Sequence, residues 1–306
     1  MLKRQPLKKI GDNKRLTPIL SMMTLGLLHT TIRADEKLIL EAAEKRGVQV
    51  KLIDVRTEVF NPATYKVDID IALERCISTS KGTYATHFLE GMGVKVVNSS
   101  AIAAVCEDKF LTSLALQRAS VPTPPFALVF GVEEAKVAIE QLGGFPAVIK
   151  PNVGSWGRLL AKVNDIDALE AIIEHKDVLG SPQQKSIYIQ QYVKKPGRDI
   201  RLFVIDGEAL CAIYRTSPHW ITNTARGGQA TVCPLTDDLR KIARDASNAV
   251  GGGILALDVF ETDDGFSINE INHTMEFKNS EAPTCTSISG AIVDYCLKVH
   301  SGTTRA

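Results

Sequence analysis

Most features that settle a protein's class at once are missing from this sequence. No run of 18 apolar residues occurs in its 306 residues, so none is read as a membrane-spanning helix. An excess of one charge is missing too: Lys+Arg is 36 and Asp+Glu is 35, a net charge of +1. That balance argues against a nucleic-acid binder, which carries a basic excess, and aromatics at 6% leave few platforms for stacked bases. None of the six cysteines forms a C-x-x-C pair, which argues against a zinc site. In a chain this long they read as reduced thiols of a cytoplasmic protein, mostly small core residues. Neither G-x-x-x-x-G-K-[ST] nor G-x-G-x-x-G occurs, so a bound nucleotide would be held in another way. No nucleophile elbow or H-E-x-x-H spacing is present either.

What is present is ordinary globular material: 44% hydrophobic and 23% charged residues, in a length that fits two or three domains. A chain of this size buries roughly 75% of its unfolded surface without disulfide or metal staples. Residues 1–21 differ from the rest. They are rich in Lys and Arg and no apolar core follows, so they are not a secretory signal. They read as a disordered extension or a mis-assigned start, with a domain-like pattern from Met22 and Met23 onward.

Residues 22–105 alternate strand and helix: LGLLH, a helix over 35–46, VQVKLIDV, a short strand at RCIST, a helix near 82–91, and VKVVN. Such alternation predicts a parallel sheet, with ligands at the carboxyl ends of its strands. A helix is expected over 107–120, stopped by Pro122, Pro124 and Pro125. Then follow FALVF, a helix over 132–142, PAVIK, the Gly-containing turn NVGSWGR, LLAKV, a helix over 166–175 and SIYIQQYV. A second unit is therefore assigned to 106–188. The third, 189–306, holds a hairpin turning at Asp206-Gly207, a helix over 237–250 and a second hairpin turning at 263–265.

The second hairpin carries the most chemistry. With its turn centred on Asp264, Asp258 faces Glu270, and directly opposed Cβ atoms lie roughly 4.5–5.5 Å apart. Two carboxylates at that range repel unless a cation lies between them. Asn272 shares the strand face of Glu270, and three hard oxygen donors suit Mg²⁺ with phosphate completing the shell. Apolar neighbours on both strands favour this over a solvated polar face. Lys150 ends the apolar strand AVIK before a Gly-containing turn, where backbone N–H groups can hold an anion. Lys109 lies in the first turn of a helix and can reach the same anion. Arg201, Arg215, Asn223 and Arg226 cluster along the first hairpin and its sequel. Such a set fits a multiply charged phosphate ligand, or else a group of surface ion pairs.

The order Lys109, VIKP, NVGSWGR, QQYV, DIRLFV, TARGG, LDVF and NEIN resembles the ATP-grasp superfamily and, within it, the RimK-like ligases. INEINHTMEFKN is similar to the LysX/ArgX group. The resemblance spans roughly 22–300. It implies an α/β protein of the α+β ATP-grasp kind, in which an N-terminal parallel-sheet domain precedes two α+β subdomains that clamp ATP. The implied activity is an ADP-forming acid–amino-acid ligase. It would join α-aminoadipate to the C-terminal glutamate side chain of an acidic LysW-type carrier protein in lysine biosynthesis, the alternatives being glutamate, in arginine biosynthesis, or either amino acid. A RimK-type glutamate ligase acting on another protein or peptide is the other implied reading. Residue by residue, the resemblance gives Lys109 and Lys150 to the ATP phosphates, with the loop from Gly154 through Ser155, Trp156 and Gly157 over them. It gives Gln190, Gln191, Tyr192 and Val193 to adenine, and Arg201, Arg215 and Asn223 to ATP. Asp258, Glu270 and Asn272 take Mg²⁺, two ions being expected. His273, Thr274, Glu276 and Phe277 face the amino acid. Arg201 or Arg226 is the expected oxyanion donor. Lys194, Lys195 and Arg198 are read as an exposed docking patch for the carrier, and the chain is expected to be a homo-oligomer with no nucleic acid or membrane partner.

Overall fold

The structure is a computed structural model that describes residues 23–154, 158–222 and 229–306. Residues 1–22, together with Ser155, Trp156, Gly157, Asn223 and Arg226, lie outside the described residues, as do the expectations attached to them.

The chain opens with β1 (Thr24–His29), α1 (Ala34–Lys45), β2 (Gln49–Asp54), β3 (Ile71–Glu74), α2 (Thr79–Gly91), β4 (Lys95–Val97) and α3 (Ser100–Glu107). The four strands form a parallel sheet in the order β2-β1-β3-β4. Central β1 is almost wholly buried, which explains its unbroken apolar run. The third strand is not RCIST but the four residues before it. All of Ile71–Glu74 are buried, whereas Arg75 leaves the sheet to reach Glu36 at 3.1 Å.

The helix expected over 107–120 begins two residues later. α3 ends at Glu107, and Asp108 caps α4 (Lys109–Arg118) by accepting from the backbone N–H groups of Phe110 (2.8 Å) and Leu111 (3.0 Å). Next come β5 (Phe126–Val129), α5 (Val132–Gln141), β6 (Ala147–Lys150), β7 (Ala161–Val163), α6 (Ile166–Leu179) and β8 (Ile187–Gln191). α6 runs a turn beyond the expected 175. These strands form an antiparallel sheet in the order β5-β8-β6-β7, with α5 and α6 packed on one core.

The third sheet is antiparallel, β11-β10-β9-β12-β13, built from β9 (Arg198–Ile205), β10 (Glu208–Thr216), β11 (Gln229–Cys233), β12 (Ile254–Thr262) and β13 (Gly265–Asn272). α7 (Asp237–Val250) buries Leu239, Ile242, Ala243, Ala246 and Val250, one stripe at helical spacing. Thr236 caps its start, and Gly251 at φ +101° ends it in the left-handed conformation. The chain closes with the short α8 (Glu281–Thr284) and α9 (Ile288–His300). α9 packs on α1, where Arg46 pairs with Asp294 at 2.6 Å. One apolar core therefore joins Leu27 and Ile39 of the first unit to Phe203, Met275 and Ile292 of the third. All six cysteines are free, five of them buried and Cys285 exposed.

Candidate active site

The two strands β12 and β13 meet through a two-residue turn, with Thr262 opposite Gly265. The turn is thus tighter than one centred on Asp264, and Asp258 would miss Glu270 but for one extra residue. Val259 faces Ile268, and the next pair is Asp258 with Glu270, so Asn269 is a β-bulge. Ile268 and Ile271 both stay in the core. Asn269 and Glu270, consecutive in sequence, both leave it: Asn269 accepts from Lys150 Nζ at 2.7 Å and Glu270 lies 3.3 Å from Lys109 Nζ. Asn272 is on the strand face of Glu270, and both line a cavity with Asp258.

The neighbouring strands supply the opposite charge. Arg201 is the register partner of Asp258 on β9, and Nη1 meets its Oδ1 at 2.7 Å. Arg215 on β10 reaches the same oxygen at 3.1 Å and grips Asp199 with two bonds of 2.7 and 2.9 Å. Arg215 and Asp258 are 3% and 4% exposed, so this is a buried ion network. Burial opposes the charge of Asp258, yet the two guanidiniums hold its carboxyl below the usual range. Burial likewise opposes the charge of Arg215, and Asp258 with Asp199 keeps it protonated. Among the described residues no group of three or more His, Cys, Asp or Glu side chains is arranged to hold a metal ion on its own. The oxygen donors are the two carboxylates and the Asn272 amide, a set that fits Mg²⁺ when phosphate oxygens and water complete its shell.

Two lysines face these carboxylates, one on the helix α4 and one at the end of β6. Lys109, held in the first turn of α4, donates to the Gly154 carbonyl at 2.6 Å. Lys150 ends β6 and is 4% exposed. Burial pushes its ammonium down to about 7, against the pull of Glu270 and Asp258 and with the help of Lys109. Beside it opens a second cavity lined by Val148, Gln190, Gln191, Tyr192, Val193, Trp220 and Phe260. Gln191 donates to the Leu142 carbonyl at 3.0 Å, and Lys162 lies over the Tyr192 ring at 4.0 Å. Lys195 also lines this cavity, which corrects the reading of KKPGR as an exposed patch. The buried carboxylate of Asp199 draws Lys195 inward to 3.6 Å, its ammonium 4.9 Å from the Phe260 ring centre. Arg198 is likewise engaged, by Glu261 at 2.6 and 2.8 Å. Only Lys194 of the three stays exposed.

The segment 273–278 is gripped by the N-terminal unit. Asn98, just past β4, donates to the His273 carbonyl at 2.6 Å. Thr274 Oγ1 donates to Glu74 at 2.8 Å, and Glu276 pairs with Arg33 at 3.0 Å. Asp35 accepts from the N–H groups of Phe277 (2.6 Å) and Lys278 (2.9 Å). His273, Thr274 and Glu276 line the cavity that holds Asp258, Glu270 and Asn272. Phe277 does not. Its ring is 1% exposed in the core beneath Arg75, so its expected contact with an amino acid is corrected. The same cavity is lined by Glu74 and Glu107, both pushed up by burial. Burial pushes the His273 imidazole down to about 4, so it is neutral beside Glu107 at 3.6 Å.

Sequence reasoning missed Asn98, Glu74, Glu107, Asn269 and Trp220. Asn269 alone carried a signal: Ile268 and Ile271 are three apart where an unbroken strand spaces its core residues by two. The others act across long sequence separations and leave no local pattern.

Residues 106–296 match the RimK-like ATP-grasp domain, and residues 25–105 match the LysX preATP-grasp domain. The chain is 34% identical to the glutamate–LysW ligase ArgX of Sulfurisphaera tokodaii, over 91% of its own length and 100% of that protein's. It is 35% identical to the alpha-aminoadipate–LysW ligase LysX of Saccharolobus solfataricus, over 81% of this chain and 91% of that one. A solved RimK-domain ATP-grasp protein from Sphaerobacter thermophilus superposes with a TM-score of 0.75 at 27% identity, covering 90% of this chain and 99% of that one. The chain belongs to the RimK-like ATP-grasp family of ligases, in its LysX/ArgX group.

Proposed function

We propose that this ATP-grasp ligase joins the α-amino group of α-aminoadipate to the C-terminal glutamate side chain of a LysW-type carrier protein, in lysine biosynthesis. The observation that carries this reading is the alternation of charge across one cleft: Lys109 and Lys150 on one side, Asp258 and Glu270 on the other, Arg201 and Arg215 beside them. ATP would lie between the subdomains assigned to 106–188 and 189–306. The adenine would enter the cavity of Gln190, Gln191, Tyr192 and Val193, and the phosphates would replace Glu270 and Asn269 as partners of the two lysines. Asp258, Glu270 and Asn272 would hold Mg²⁺, which supplies charge neutralisation on the transferring phosphoryl group. Two ions are the finer form of this proposal.

A carboxylate is a poor electrophile. Its oxygen attacks the γ-phosphorus of ATP, ADP leaves, and an acyl phosphate forms on the carrier. The amine, having lost its proton, attacks the acyl carbon, and inorganic phosphate departs with the bonding electrons. Arg201 would donate to the oxyanion, and His273, Thr274 and Glu276 would line the amino-acid side. Exclusion of water from this cleft protects the acyl phosphate. Glutamate is the second reading, supported by the ArgX relative that aligns along its whole length. The two amino acids differ by one methylene, worth about 1–3 kcal/mol in a pocket. The test is ADP release from ATP with Mg²⁺, a LysW-type carrier and each amino acid in turn, with the carrier's intact mass read in parallel. A mass gain with α-aminoadipate alone is expected; a gain with glutamate alone selects the second reading. No gain and no ADP with either overturns the carrier assignment.

A further inference from the structure

We infer that Asn98, which lies outside the ATP-grasp domain, is the positioning residue of the Asp258, Glu270 and Asn272 face. The inference rests on the reading of that face as the metal site. The last register pair of β12 and β13 is Ala256 with Asn272. Beyond this pair, where a ladder would continue, the strands are joined by a side chain instead. Asn98 Nδ2 donates to the Ile254 carbonyl (2.8 Å) and the His273 carbonyl (2.6 Å), and its Oδ1 accepts from the Ile254 N–H (2.7 Å). Both amide hydrogens and the oxygen are engaged, at a site 4% exposed to solvent. One amide plane therefore fixes the start of the strand that carries Asp258 and the end of the strand that carries Glu270 and Asn272. The His273 carbonyl belongs to the residue directly after Asn272, so its position sets how Asn272 is aimed.

The surrounding sequence makes room for this clamp. Gly253, at φ +92°, precedes Ile254, and a Cβ there would collide with Asn98 Oδ1. A side chain at 253 would thus displace the amide, in a backbone conformation that other residues rarely adopt. Hairpin ends fray unless tied. The clamp opposes that spreading from a neighbouring sheet.

The test measures the affinity of the full chain for ADP with and without Mn²⁺, a direct binding readout whose ratio is the metal's coupling to the nucleotide. In the unmodified protein Mn²⁺ is expected to tighten ADP at least tenfold. In Asn98→Asp, which keeps the shape but loses both donors, most of that tightening is expected to vanish while metal-free ADP binding stays within twofold. Asn98→Gln, which keeps the amide on a longer arm, is expected to fall between, and carries the test if the Asp variant does not fold. Full tightening in the variants overturns the role of Asn98 and leaves the metal reading intact. Equal loss of metal-free and metal-bound affinity also overturns it, since a loosened domain would lose both. No tightening in the unmodified protein overturns the metal reading itself, and the inference with it.

Discussion

The two hairpins of the third sheet lie side by side and carry opposite chemistry. The first, β9 with β10, presents Arg201 and Arg215; the second, β12 with β13, presents Asp258 and Glu270. The cation hairpin supports one of its two arginines itself, because Asp199 within it holds Arg215 by a bidentate bond. The carboxylate hairpin has no cation of its own at the site. Asp258 depends on the arginines next door, and Glu270 on Lys109 of the helix α4. Arg215 is therefore locked before any ligand arrives, while Arg201 and the carboxylates of the second hairpin stand in pairs a ligand would exchange.

Three changes would break or sharpen that contrast. The largest effect is expected from Asp258→Asn, which leaves Arg201 and Arg215 without their shared partner. ADP release with carrier and amino acid should fall roughly 10²–10³-fold, and chemical unfolding should show a loss of about 3 kcal/mol for a broken buried pair. Full activity in this variant would dissolve the distinction between the hairpins.

The next effect is on pH. The Lys150 ammonium stands at about 7 in the free protein, and a bound phosphate favours its charged form. ATP affinity should then be full below pH 7 and weaken as pH rises above it, by at most about tenfold per pH unit. Dissociation constants from pH 6 to 9 check this, and Lys150→Met should flatten the curve. A steep profile in that variant would move the titrating group elsewhere.

The smallest effect is expected at the rim. Arg198 on β9 pairs with Glu261 on β12 where both are partly exposed, at 38% and 23%. Glu261→Gln should cost at most about 1 kcal/mol in thermal or chemical unfolding and leave the rate of ADP release unchanged.

The hairpins were legible in the sequence because their signals are local. Asp206-Gly207 and Asp263-Asp264-Gly265 stand between alternating apolar runs, and pairing follows from counting outward. Even so, the count gave Asp258 with Glu270 for an incomplete reason, since turn length and bulge each shift the register and the two shifts cancel. β3 was displaced to RCIST because a short buried strand can end on a charged residue, as Glu74 ends this one, and continuous apolarity does not mark its boundary. The grip of Glu74, Asn98, Arg33 and Asp35 on 273–278 was invisible. Those contacts join residues some 175 to 243 positions apart and depend on how whole sheets pack. Phe277 was misplaced for a related reason: its neighbours in sequence face the cleft, and only the shared core shows that its ring does not.

The bulge at Asn269 has a mechanical consequence. An unbroken strand would send residues 269 and 270 to opposite faces, and only one of the two lysines could then find a partner on β13. With the extra residue, a single peptide unit fastens both the end of β6, through Lys150, and the start of α4, through Lys109. The end of β6 and the start of α4 are thereby held by adjacent residues of one strand. A ligand whose anionic groups draw both lysines away would free Asn269 and Glu270 together, so the bulge makes the exchange of partners on this strand a single event.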